Sequence, residues 1–128
     1  MSQCFFKFAA FLLINIFTFA VSVLAQQETR YTFLMMGKAA GSQISKIMPE
    51  GVREYDFEFN DRGRGPKLKT RIRLDKDGIP VSLETVGNDY LKAPVAETFS
   101  MTNGAARWKN SAEQGEKEIA KAFYISMN

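Results

Sequence analysis

Apolar and polar residues alternate one by one through the middle of this chain. From Val52 to Asn60, Tyr55, Phe57 and Phe59 fall on one parity, and Glu54, Asp56 and Glu58 on the other. From Lys67 to Leu74, Leu68, Thr70, Ile72 and Leu74 alternate with Lys67, Lys69, Arg71 and Arg73. A period of two is that of a β-strand buried on one face. The intervening residues 61–66 hold two glycines and a proline, which favour a reversal. The two segments are therefore predicted to form an antiparallel hairpin with one apolar and one charged face, acids on the first strand and bases on the second. Taking 61–66 as the loop pairs Glu58 with Lys69, Asp56 with Arg71 and Glu54 with Arg73. On the apolar face it pairs Phe59 with Leu68 and Tyr55 with Ile72.

The same reading extends along the chain. Residues 31–36 are strand-like, 38–41 read as a turn, and 42–48 as a weaker strand carrying Ile44 and Ile47. Pro49-Glu-Gly51 is a tight turn, and Asp75-Lys-Asp-Gly78 is another. Pro80 opens a strand with Val81, Leu83 and Thr85 on its inner face, and 87–94 form a longer loop. Residues 95–101 alternate again, with Val95, Phe99 and Met101 on one side; Glu97 shares that side. Asn103-Gly104 is a strong two-residue hairpin signal, answered by a short strand over 105–109. Residues 111–118 read as a polar loop and 120–127 as a last strand through Phe123, Tyr124 and Ile125. The expected fold class is all-β: an antiparallel, meander-like sheet of about eight strands. A sheet with one apolar face must bury it, and no amphipathic helix is available here. The sheet either curls into a partial barrel or sandwich, or the face takes a partner or ligand. The end at Asn128, just after an apolar strand, suggests the front piece of something longer.

Residues 1–25 stand outside this pattern. Lys7 is the only charge before Glu28, residues 8–21 are nearly all apolar, and Val23 and Ala25 sit at the small-residue positions before a peptidase cut. This predicts a secretory signal helix cleaved between Ala25 and Gln26. An uncleaved membrane anchor is the alternative, since 8–25 is just long enough to span. Residues 26–128 then form a single β domain with no stable membrane span, placed in the periplasm or outside the cell. Cys4 lies in the removed segment, so export leaves no cysteine for disulfides. The mature net charge is about +2, too small for the clustered basic surface that nucleic acid requires.

The mature chain has neither histidine nor cysteine. That removes the histidine-based nucleophilic triads and the usual zinc and transition-metal ligand sets. Glu54, Asp56 and Glu58 share a face, but the neighbouring basic strand makes them a paired, solvated face rather than acid–base machinery. Asp75-Lys-Asp-Gly78 opens like a calcium loop and lacks the later ligands, so a plain turn is the better reading. Arg62-Gly-Arg-Gly65 reads as a hairpin loop, although its arginines suit a carboxylate or phosphate. Tyr90 lies in a turn where it can meet a partner, and Trp108 suits strand packing better than a ligand platform. Arg62, Arg64, Tyr90 and Trp108 are thus the candidate partner or ligand contacts. Glu97 is the one acid on an apolar strand side. No catalytic, cofactor or metal residue is identified.

Four stretches carry a resemblance: Glu58-Phe-Asn-Asp-Arg-Gly-Arg-Gly-Pro-Lys67, Leu74-Asp-Lys-Asp-Gly-Ile-Pro-Val81, Gly87-Asn-Asp-Tyr-Leu-Lys-Ala-Pro-Val95 and Ala106-Arg-Trp-Lys-Asn-Ser-Ala-Glu-Gln-Gly115. They resemble the amino-terminal β-rich region of secreted bacterial amidohydrolases, in which a signal peptide and a β domain precede a metal-dependent barrel. The resemblance spans nearly all of 30–128. It implies a non-catalytic accessory domain or fragment of a hydrolase acting on non-peptide carbon–nitrogen bonds. Its partner is then a downstream catalytic domain or partner chain, and a divalent metal such as zinc belongs only to that domain. The family's His-x-His metal site has no counterpart here. Two other functions fit the residues alone: a free-standing periplasmic module for a lipid or other hydrophobic ligand, and a structural docking domain.

Overall fold

The computed structural model describes residues 27–125; the predicted signal helix lies outside them. Eight strands run in chain order: β1 (Gln27–Met35), β2 (Lys38–Ile47), β3 (Val52–Phe59), β4 (Lys67–Leu74), β5 (Pro80–Asn88), β6 (Pro94–Thr102), β7 (Ala105–Lys109) and β8 (Gln114–Glu118). Each pairs antiparallel with the next, giving one sheet of order β1-β2-β3-β4-β5-β6-β7-β8. The all-β meander is therefore as expected. The curling into a barrel or sandwich is not: the sheet stays open, and among the described residues β1 and β8 are its free edges.

Three boundaries also differ. The turn expected at 38–41 is the start of β2, and the reversal is made by Met36 and Gly37, both at positive φ. The loop expected over 111–118 contains β8, made of polar residues whose backbone completes the ladder to β7. The last strand expected over 120–127 is absent among the described residues. Residues 119–125 leave the sheet and lie across its apolar face, while 126–128 are outside the description.

The central hairpin keeps its predicted faces but not its predicted register. Glu58 pairs with Lys67, Asp56 with Lys69, Glu54 with Arg71, Phe57 with Leu68 and Tyr55 with Thr70. The register is set at the tip. Pairing continues through Phe59 N to Pro66 O at 3.0 Å and an Asp61–Arg64 bridge, so only Arg62 and Gly63 turn the chain. Their φ values of 54° and 86° are those of the two-residue turn whose twist matches a hairpin. Gly65 permits this, because a Cβ there would sit 2.1 Å from the Phe59 carbonyl oxygen. A slip of two residues leaves every side chain on its own face, so alternation alone could not detect it.

The charged face carries a row that alternates in sign across five strands: Glu28, Lys46, Glu54, Arg71 and Glu84 are successive neighbours. Lys46–Glu28 is 3.8 Å and Arg71–Glu54 is 3.7 Å. On the opposite face Leu83, Phe99 and Ala106 form the core, with Ile72, Met101, Trp108, Ala122 and Tyr124 packed against it. The 119–125 segment therefore covers β5–β7. Over β1–β4 no second layer of the described residues covers that face: Tyr31 is 53% and Phe33 37% exposed.

Burial makes the core the larger stabilising contribution. Leu83→Ala is expected to cost about 2–5 kcal/mol, against about 0–1 kcal/mol for Arg71→Ala on the exposed charged row. Urea unfolding of the two variants beside the wild type checks the difference.

Candidate functional site

Two clusters gather polar chemistry, and they lie apart. The first joins the β3–β4 tip to the β5–β6 loop. In that loop the Asp89 carboxylate accepts the Leu91 and Ala93 amides at 2.8 and 2.9 Å, which fixes a tight reversal. The reversal aims Tyr90 back at the tip. Its hydroxyl donates to Asp61 Oδ2 at 2.7 Å, and its carbonyl accepts the Gly65 amide at 3.0 Å. The Arg64 guanidinium stands over the Tyr90 ring at 5.5 Å, and Lys92 Nζ donates to the Gly65 carbonyl at 2.8 Å. Donation to Asp61, above all, holds the Tyr90 phenol above its usual pKa.

Arg64 and Tyr90, two of the sequence-predicted contacts, are thus brought together. Arg62 is beside them at the turn, its side chain 89% exposed and 4.0 Å from Asp61. Trp108 is not part of this cluster. It packs at the edge of the core and covers Gly115, where a Cβ would lie 2.4 Å from the indole. Asp61 and Lys92 were missed by sequence reasoning because their partners lie 29 and 27 residues away.

The second cluster lies in the middle of the apolar face. Tyr55, Thr70, Thr85 and Glu97 are successive cross-strand neighbours on β3–β6. Thr70 and Thr85 share a hydrogen bond of 3.0 Å. Glu97 is 1% exposed and accepts the Tyr124 hydroxyl at 2.5 Å. The Tyr124 ring stacks on Phe99, centroids 4.7 Å apart and planes 13° from parallel. Burial first, and donation to Glu97 second, raise the Tyr124 phenol above its ordinary value. The neighbouring Asn110 side chain acts on the same phenol in the opposite sense. Sequence alternation had marked Glu97; Tyr124 was hidden in a segment that read as a strand.

This second cluster fastens the 119–125 segment to the sheet. A general base needs access to a substrate proton. Glu97, 1% exposed beneath Tyr124, is engaged in holding that segment. Among the described residues no three His, Cys, Asp or Glu side chains are grouped to hold a metal ion. No helix among them is long and apolar enough to cross a membrane. Comparison with family models, with curated proteins and with solved structures found no match to this chain.

Removing the fastening has a measurable consequence. Tyr124→Phe leaves a buried carboxylate short of a donor and is expected to cost about 1–3 kcal/mol in urea unfolding. The raised phenol pKa also sets a sign. Its stabilisation is complete below the ordinary value of 10.0 and is lost as pH rises through the folded-state value. In a spectrophotometric titration, Tyr90 and Tyr124 are expected to ionise above that ordinary value. Tyr90→Phe and Tyr124→Phe should each remove one late step.

Proposed function

We propose that this chain is the non-catalytic accessory β domain of a secreted amidohydrolase acting on non-peptide carbon–nitrogen bonds, exported by residues 1–25. The observation that carries the reading is the open apolar face over β1–β4. Tyr31, Phe33, Tyr55, Phe57 and Leu68, from β1, β3 and β4, share that face with Gly41 and Gln43 of β2 between them, and no layer of the described chain covers them. A one-layer sheet is stable in water when such a face is closed. A catalytic domain packed on it would close it, which is the arrangement the four motif stretches imply.

The residues present do not fit the family's metal. The sequence has no histidine, and its only cysteine is Cys4 in the predicted signal segment. The metal and the hydrolytic step are accordingly assigned to the partner domain. The domain contributes packing and orientation, with Arg62, Arg64 and Tyr90 at one end of the sheet available to the partner.

Extending the coding frame beyond Asn128 tests this directly, with a His-x-His segment expected behind it. Alone, the mature chain is expected to bind a hydrophobic dye at the β1–β4 face and to release it when the downstream domain is added. A frame that closes at Asn128, with a mature chain that excludes dye, would overturn the reading. Stoichiometric uptake of a fluorescent fatty acid by such a chain would favour a ligand-binding module instead.

A further inference from the structure

The two free edges of the sheet are built differently. β8 is five residues long, and Glu116, Lys117 and Glu118 occupy most of it. Short length and charge are the usual protections of an edge against strand addition. β1 has nine residues, all exposed, with no proline and no charge after Arg30. The irregularity in its pairing with β2 leaves the extra residue, Ala40, on β2, so β1 itself runs unbulged. Exposed large apolar side chains concentrate here: Tyr31, Phe33, Leu34 and Met35, with Met36 in the adjoining turn 99% exposed.

We propose that β1 is a self-association edge, where β1 of a second copy adds antiparallel about a two-fold axis at Thr32. The inference does not rest on the accessory-domain reading, since it turns on backbone pairing at the edge of β1, although Tyr31 and Phe33 also belong to the apolar face. In this pairing Tyr31 faces the partner's Phe33 and, by symmetry, Phe33 faces the partner's Tyr31. Aromatic cross-strand pairs of this kind are favourable. Charge selects the register. With the axis at Thr32, Arg30 faces the partner's Leu34, and the two arginines stand about 13 Å apart, beyond the screening length. An axis at Tyr31 brings them within about 7 Å, and an axis at Arg30 sets them directly opposite. Pairing β1 with β8 of another copy would instead leave open ends and grow fibres. Pairing over residues 29–35 buries on the order of 1,000 Å² in total at most, at the lower limit for a specific interface, so a weak and reversible dimer follows.

The test is sedimentation of the mature chain over a concentration series, with Leu34→Glu and Leu34→Lys beside the wild type. Leu34 is 67% exposed, so neither change disturbs the monomer, and circular dichroism verifies this. The wild type is expected to shift from monomer to dimer with rising concentration. Leu34→Glu, facing the partner's Arg30 twice, should tighten the dimer about two- to tenfold, and Leu34→Lys should weaken it by a similar factor. A wild type that stays monomeric throughout would overturn the proposal. Equal affinities for the two variants would do the same, because the dimer would then lie elsewhere. Tightening by Leu34→Lys would refute the Thr32 axis, since it would place Leu34 opposite the partner's Glu28.

Discussion

The structure depends on how a single sheet disposes of its apolar face. Eight strands in chain order provide one continuous layer, and among the described residues only 119–125 lie behind it. Beyond Ile119 that segment makes no ladder with the sheet. It is held by the Ile119 amide on the Gly104 carbonyl, by the stacking of Tyr124 on Phe99 and by the bond from Tyr124 to buried Glu97. A carboxylate at 1% exposure is costly unless it is satisfied, so the polar residue that looks out of place in the face is also what fastens its cover. The covered half of the face has the core; the other half, over β1–β4, has half-exposed aromatics.

The charged face works differently. Its ion pairs are exposed and individually worth about 0–1 kcal/mol, too little to hold the sheet together. Their arrangement still matters, because Glu28, Lys46, Glu54, Arg71 and Glu84 alternate in sign from strand to strand. Between β3 and β4 a slip of two residues would keep those signs, since Glu54, Asp56 and Glu58 face a strand whose Lys67, Lys69, Arg71 and Arg73 are all basic. Register there is set by the two-residue turn at Arg62-Gly63, one of three such turns with Met36-Gly37 and Asn103-Gly104, where both residues of each pair take positive φ.

Two of the four motif stretches singled out in the sequence meet in space. Residues 58–67 and 87–95 are joined by Tyr90 on Asp61 and by Lys92 and Asn88 on the Gly65 carbonyl. Their unusual glycines and charges therefore have a local explanation: they lock one hairpin tip to the next loop. The leftover group is Arg62, which points to solvent from a strained position at the turn. That is the residue of this corner with most freedom to meet a partner.

Alternation along each strand was enough, by itself, to determine the all-β class and which residues share a face; the count of eight came out right only because the expected strand over 120–127 offset the missed β8. Those properties follow from local backbone geometry, in which every second side chain points the same way. The Asn103-Gly104 turn was legible for the same reason, since positive φ is a preference of the residues themselves. Four things were decided only in three dimensions. The hairpin register depended on Gly65 approaching the Phe59 carbonyl, β8 on backbone pairing that its polar side chains do not announce, and the open sheet on β1 and β8 never meeting. The placement of 119–125 depended on Glu97, 27 residues away from Tyr124. Side-chain pattern reports which face a residue occupies, whereas register, closure and cover depend on contacts between residues far apart in the chain, and those exist only once the strands have assembled.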